Sequence, residues 1–434
     1  MRKLSIMLIL VVFFCAPVWA GPVAVDPGVR GGVAGAGGAI PNLTPSEKAF
    51  FDAGQESFEE VEGVSQGLGP RFNLDSCGGC HAQPAVGGTS PDGNPQIEVA
   101  TKNGAKNRIP FFIKIDGPVR EARFKFKMVD GKLERDGGVH NLFTITGRKD
   151  APGCNILQPD FDAEARKHNL IFRIPTPVFG AGLIENIPDA TILANKNSQK
   201  SLKMLLGISG RENRSGNDGT ITRFGWKAQN KSLLMFSGEA YNVEQGVSNE
   251  LFPQERDETA SCLFNALPED RTNFDGQTPI EALSDIELFS FFMRMLAPPT
   301  PAYDNASTIN GKRIFNQIGC SLCHTPTLTT GTTNIGALSN KPANLFSDLL
   351  LHAMGVGLAD DIVQGGAGPF EFRTAPLWGL GQRIFFLHDG RTSNLIEAIQ
   401  AHKSTGSEAS KVITHFNNLA EADKQDLLNF LRSL

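Results

Sequence analysis

One pattern constrains this chain of 434 residues more than any other. Phe-Asn-x-x-x-Cys-x-x-Cys-His runs from Phe72 to His81 and again from Phe315 to His324, so one functional unit is written twice in a single polypeptide. In each copy two thiols stand three positions apart and an imidazole follows the second. That is the attachment pattern of a c-type haem. The spacing lets Cys77 and Cys80, or Cys320 and Cys323, form thioethers to the two vinyl groups of one porphyrin. His81 or His324 then reaches the iron as proximal ligand. A thioredoxin-like redox pair and half of a zinc site are the rival uses of Cys-x-x-Cys. Zinc requires the two pairs to converge, and neither pair sits in a βαβ pattern. The reading is two covalently bound c-type haems.

The first twenty residues read as a cleaved export signal. Arg2 and Lys3 give a charged start, Leu4 to Ala16 is mostly apolar, and Val18-Trp19-Ala20 fits a small-residue cleavage site. The apolar run is shorter than the ~20 residues of a membrane span. An uncleaved anchor is the lesser alternative, and no other segment approaches a span. Export to a bacterial periplasm or beyond agrees with c-type attachment, which takes place outside the cytoplasm. Once Cys15 has left with the signal, Cys154 and Cys262 are the two cysteines without a role. In an oxidising compartment they most simply form a disulfide, two buried free thiols being the alternative. Lys+Arg 41 against Asp+Glu 46 gives a net charge of −5, so no basic field points to nucleic acid. With Tyr at 2 and Phe at 30, few oxidisable rings exist for an electron relay.

Glycines crowd residues 21–41 and little there can be buried, which predicts a flexible leader. An N-terminal haem domain follows over 42–300. It opens on a helix capped by Thr44, with Pro45 and Glu47 completing the signal, and with Phe50, Phe51, Phe58 and Val61 inward. Inside this domain, about 105–260 forms an insertion rich in Gly, Asn and turn dipeptides, predicting short strands and long loops. Ala122, Phe124, Phe126 and Met128 alternate with Arg123, Lys125 and Lys127 as a half-buried strand, and Asp130-Gly131 marks a hairpin turn. Helix returns at the Ser284/Glu287 capping box, with Ile286, Leu288, Phe289, Phe292, Met293 and Leu296 inward, until Pro298-Pro299 stops it. The C-terminal haem domain, 301–434, starts with a helix ending at Gly319. It closes with one burying Leu427, Leu428, Leu431 and Leu434. The fold class is mainly α: two cytochrome c-like haem domains with a loop-rich, short-strand β insertion between the haem motifs.

Four further stretches carry a resemblance. They are Arg223-Phe224-Gly225-Trp226-Lys227-Ala228, Phe292-Met293-Arg294-Met295-Leu296-Ala297-Pro298-Pro299, Phe346-Ser347-Asp348-Leu349-Leu350-Leu351-His352 and Phe386-Leu387-His388-Asp389-Gly390-Arg391. Together with the haem motifs they resemble the di-haem oxidoreductase family, described as peroxidases, over about residues 42–434. Through that family the likeness extends to bacterial di-haem cytochrome c peroxidases and to the di-haem enzyme that matures methylamine dehydrogenase. It implies a peroxidase-type oxidoreductase. The C-terminal haem would pass electrons from a small donor protein, a cytochrome c or a cupredoxin, to a catalytic N-terminal haem. A pure electron carrier is the first alternative, and a di-haem dehydrogenase or oxygenase on an organic or sulfur substrate is the second. An insertion of about 150 residues is more than a carrier needs.

The sixth iron ligands decide between these. In the peroxidase relatives the C-terminal haem takes its sixth ligand, usually Met, a fixed distance after His-Asp-Gly; the same count from His388 reaches His402. Leu395, Ile399 and His402 also share one helical face. Met354 is the alternative. For the N-terminal haem, the stretch 87–102, where relatives carry a distal histidine, contains none. An open or water-bound iron is expected there, with His140 and His168 as distant alternatives. Relatives place a Trp between the haems, and Trp226 resembles it, ordinary core packing being the plainer role. His352 and His388 stand in loops that resemble haem-pocket loops. Glu98 and Glu121 are candidate proton shuttles or plain surface charges. A calcium site of the relatives uses carbonyls of a Thr-x-Pro segment, but Arg383 and Phe385 stand there, which argues against calcium.

Overall fold

The computed structural model describes residues 23–434, so the signal-like segment and its cleavage site lie outside the described residues. The helices of the first half are α1 (Pro45–Glu59), α2 (Cys77–Cys80), α3 (Gln96–Val99), α4 (Phe161–Arg166), α5 (Ala181–Glu185), α6 (Asp189–Asn197), α7 (Lys200–Leu206) and α8 (Leu233–Ala240). Those of the second are α9 (Asp285–Met295), α10 (Ala306–Ile318), α11 (Leu395–Ala401), α12 (Ser410–Asn417) and α13 (Glu421–Ser433). Strands are short. β1 (Arg71–Phe72), β2 (Glu121–Phe124), β3 (Phe126–Val129), β4 (Lys132–Arg135), β5 (Val139–His140), β6 (Phe143–Thr144) and β7 (Leu170–Arg173) precede α5. β8 (Leu328–Thr329), β9 (Pro342–Ala343), β10 (Leu351–Ala353) and β11 (Glu371–Arg373) lie between α10 and α11.

Two crossed helix pairs frame the molecule. Thr44 Oγ1 accepts the Glu47 N–H at 3.2 Å while Glu47 accepts the Thr44 N–H at 2.7 Å, which starts α1. Ser284 and Glu287 start α9 in the same way. Gly319, at φ 102°, ends α10. Where α1 crosses α9, a Cβ on Gly54 would stand 2.4 Å from the Leu288 carbonyl oxygen. Where α10 crosses α13, one on Gly311 would stand 2.0 Å from that of Asp426. Only glycine allows backbones so close. Phe58 packs on Phe289 and Phe292 at the first crossing, with ring centroids 6.0 and 4.9 Å apart. Phe315 and Phe430 do the same at the second, 5.5 Å apart. The repeated motif therefore sits on a repeated scaffold.

Between the crossings the chain departs from expectation. Val61 lies beyond the end of α1 and is 53% exposed. The stretch from Ala122 to Met128 is two strands that part at Lys125. β2 is the central strand of a β5-β2-β7 sheet and buries Arg123 beside Ala122. β3 and β4 form a separate hairpin through Asp130 (φ 49°) and Gly131 (φ 76°), leaving Met128 exposed. The insertion is also more helical than loops and short strands, since α4 to α8 lie within it. Their bounding residues, Gly180, Pro188, Gln199 and Gly207, read as turns, yet they punctuate short helices held by tertiary packing. Cys154 and Cys262, 108 positions apart, are bridged and fasten this region to the segment leading into α9.

The glycine-rich leader is a strap, not a free tail. Asp26 pairs with Arg432 at 2.7 and 2.8 Å and accepts the Leu395 N–H at 2.7 Å. The Arg30 N–H donates to the Gly381 carbonyl, and that of Ile40 to the Met295 carbonyl, both at 2.7 Å. Order here comes from the Asp26 carboxylate and from backbone hydrogen bonds, which low hydrophobicity does not reveal.

Candidate functional site

Each Cys-x-x-Cys-His motif opens into its own cavity. The N-terminal one, about 1150 Å³, is lined by Cys77, Cys80 and His81. The C-terminal one, about 1430 Å³, is lined by Cys320, Cys323, His324 and His402. Burial pushes the Cys77 thiol well up and that of Cys320 to about 12.

The histidines are oriented as iron ligands require. His81 Nδ1 bonds the Gly88 carbonyl at 2.9 Å, His324 that of Phe346 at 3.0 Å, and His402 that of Ala398 at 2.8 Å. A ring fixed through Nδ1–H keeps a neutral Nε2 for a metal. His324 is driven down to about 4, first by burial and then by His402, which faces the same cavity. Two buried cations, Arg373 and Arg383, line this cavity without a carboxylate partner, and burial lowers both to about 10. Among the described residues, Arg383 Nε and one of its terminal nitrogens have no acceptor. Opposed imidazoles, an apolar slot and orphaned guanidinium groups fit a flat, carboxylate-bearing porphyrin.

The N-terminal cavity has a different wall. His81 is the single imidazole that lines it among the described residues. Met293 lines it too, but belongs to the α9 face whose Phe289 packs on Phe58, and Phe58 lies against His81. Other parts of the wall carry Glu121, Arg123, Gln229 and Glu244. α8 runs into a wider π-type turn, Tyr241–Gln245, a feature that concentrates at functional sites. It turns Tyr241, Glu244 and Gln245 onto the cavity. Burial would raise Glu121, but Arg123 at 2.6 Å holds it near 2. Glu244 is raised by burial and by Glu121, and its carboxyl accepts from Asn73 at 2.6 Å. The pair is thereby pushed apart, Glu121 towards the charged form and Glu244 towards the neutral one.

Trp226 lines both cavities. Its indole N–H donates to Ile174 O at 2.9 Å and its ring meets His388 edge-on at 6.4 Å. Arg383 stands 5.9 Å from the ring. Behind it Lys227 and Arg173 clamp Asp360 at 2.9 and 2.6 Å, a buried triad that holds the partition in place.

Other candidates fall elsewhere. His140 pairs with Asp136 at 2.6 Å and stacks on Phe124, while His168 is exposed at φ 55°; neither lines the N-terminal cavity. Glu98 is exposed. Met354, His352 and His388 all line the C-terminal cavity. His352 is held between Asp348 at 3.0 Å and Glu408 at 2.7 Å, an ion-paired role that leaves it no free nitrogen for iron. Sequence reasoning missed Tyr241, Glu244, Lys227 and Asp360, whose partners are distant in the chain. Among the described residues no helix is long and apolar enough to cross a membrane.

Two such cavities, each reached by the histidine of a Cys-x-x-Cys-His motif, are what a di-haem protein requires. The chain belongs to the family described as "Di-haem oxidoreductase, putative peroxidase", which matches residues 140–434. Among curated proteins none matches. Similar solved structures include hydrazine synthase of Kuenenia stuttgartiensis, 14% identical over all of both chains with a TM-score of 0.38. A variant of the di-haem peroxidase BthA of Burkholderia thailandensis is 13% identical over 95% of this chain and 93% of its own, with a TM-score of 0.39. A MauG-like protein associated with microbial copper homeostasis is 17% identical over 60% of this chain and 90% of its own, at 0.32. These scores are below 0.5, so the family assignment rests on the 140–434 match.

Proposed function

We propose that this is an exported, periplasmic di-haem c-type cytochrome with peroxidase-type activity. Cys77 and Cys80 hold one haem through thioethers, and Cys320 and Cys323 hold the other. When bound, the C-terminal haem stores an electron and the N-terminal haem supplies the redox chemistry that reduces peroxide. The observation that carries this reading is the asymmetry of the two walls. His324 and His402 offer two neutral imidazoles to one iron, whereas His81 faces a cavity furnished with carboxyls, a guanidinium and an amide. Glu244 holds a proton at that wall, and Arg123 keeps Glu121 ionised beside it as acceptor. Trp226 spans the partition as an electron relay, fixed by its bond to Ile174 O. A small donor protein, a cytochrome c or cupredoxin, delivers the electrons.

Electron paramagnetic resonance of the fully oxidised and half-reduced protein tests this. A high-spin signal from the His81 haem beside a low-spin one from the His324/His402 haem is expected, and His402→Gly should turn the second high-spin while sparing the first. Two low-spin signals in both states would make the protein a carrier.

A further inference from the structure

The chain has two tyrosines, and the structure treats them as opposites. Tyr303 is 98% exposed, whereas Tyr241 is 1% exposed and lines the cavity of His81. A buried phenol needs a hydrogen-bond partner, and a backbone carbonyl would serve. Tyr241 instead donates to the carboxylate of Glu62 at 2.8 Å, with Asp285 next at 3.4 Å. Asp285 and Asp270 have a helical reason to be there. Asp285 begins α9, and Asp270 accepts the N–H groups of Asp285 and Ile286 at 2.7 and 3.1 Å. Glu62 has no such duty; the residue is 5% exposed, and among the described residues its side chain bonds Tyr241. Phe289 closes the other side of the phenol, edge-on at 5.0 Å.

From this juxtaposition we infer that Tyr241 and Glu62 are a proton-coupled redox pair in the N-terminal cavity. Tyr241 gives up one electron, its phenolic proton passes to a Glu62 oxygen, and a neutral tyrosyl radical faces a protonated Glu62. The inference rests on the peroxidase reading above. Hydrogen peroxide is the oxidant, taking two electrons and two protons to give two waters: Tyr241 supplies one electron, a haem held by Cys320 and Cys323 would supply the other and be re-reduced by the donor protein, and both protons come from solvent. An electron from the donor protein then restores the phenol as Glu62 returns the proton. Trp226 cannot play this part, because its N–H meets the Ile174 carbonyl, which is no base. Glu62 is a suitable one. Burial, then Asp285, Glu60 and Asp270 around it, push it up to about 7 against the bond from Tyr241, so it holds a proton far better than a surface carboxylate.

The holoprotein, freeze-quenched after one equivalent of hydrogen peroxide, should show an organic radical that narrows when tyrosine is ring-deuterated. Tyr241→Phe should abolish it. Glu62→Gln, which keeps the shape but removes the base, should cut its yield at least tenfold with resting haem spectra unchanged. A radical that survives Tyr241→Phe, or equal yields in Glu62→Gln and wild type, overturns the pair. A ruthenium(III) polypyridyl photo-oxidant in place of peroxide separates the two readings. A wild type inert to peroxide but forming the Tyr241-dependent radical in light keeps the pair and defeats the peroxidase reading. Loss of that dependence in light defeats the pair alone.

Discussion

The two motif copies are identical in pattern and unlike in setting. Phe315 and Asn316 lie in the last turn of α10, so the second motif leaves a helix whose partner, α13, is the end of the chain. Phe72 lies in β1, paired with β6, so the first motif leaves a sheet formed with the insertion. The C-terminal cavity is lined mostly by apolar side chains and imidazoles of the second half, with Ile208 and Trp226 reaching in from the insertion. The N-terminal cavity borrows its wall from β2, β7 and α8, and the insertion delivers carboxyls, guanidinium groups and a phenol. The same motif thus opens onto two different walls, and the difference between them comes from what is inserted between motif and helix.

The comparison breaks most visibly if each side is emptied in turn. Cys77→Ala with Cys80→Ala should leave one haem by intact mass, the low-spin one, and abolish peroxide turnover. The same change at Cys320 and Cys323 should leave the high-spin one. A mass that shows no porphyrin in the unaltered protein ends the c-type reading.

Next in size is the partition. Asp360→Ala leaves Lys227 and Arg173 buried without their shared anion. A loss of about 3–5 kcal/mol is expected from denaturant unfolding. Both haem environments should shift together, because the partition serves both.

The disulfide sharpens the contrast, since it touches one side only. Cys154→Ser with Cys262→Ser should cost about 2–5 kcal/mol. Unfolding followed at the N-terminal haem should move to lower denaturant before the C-terminal haem responds, and coincident shifts would show that the halves unfold as one.

The smallest effect is in pH. Glu62 and Asp270 are raised to about 7, by burial and then by Asp285. Between about pH 4 and 7 the folded N-terminal side keeps protons that the unfolded chain has released, so stability falls as pH rises through that window. Glu62→Gln with Asp270→Asn should remove the fall, gaining about 1–3 kcal/mol at pH 8. On the C-terminal side the sign is reversed. Burial would raise Glu408, but His352 holds it at about 2, so its contribution disappears only as pH drops below about 4. Thermal unfolding across pH 3–8, read at each haem band, checks both limbs.

Local signals were legible in the sequence. Thr44/Glu47, Ser284/Glu287 and Gly319 set helix ends within one turn of chain, and both haem motifs carry their chemistry in five consecutive residues. That His402 lines the C-terminal cavity was legible because Leu395 and Ile399 share its helical face. What escaped was assembled from distant pieces. Glu121 meets Glu244 across the cavity, Glu62 meets Tyr241, and Lys227 meets Asp360; no periodicity links such pairs. The helices α5 to α7 escaped because each is too short for a clear stripe. The strap at 23–41 escaped because its glycines bond through backbone alone.

That strap carries a message about timing. Asp26 is among the first described residues to be synthesised, yet Arg432, its partner 406 positions on, is among the last. Leu395 and Gly381, which also hold the strap, come nearly as late. A chain that emerges N-terminus first can seat Ile40 on the Met295 carbonyl once α9 has formed, but Asp26 waits for α13. A copy cut short before α13 would keep the Ile40 end of the strap fastened and leave the Asp26 end loose and open to proteases.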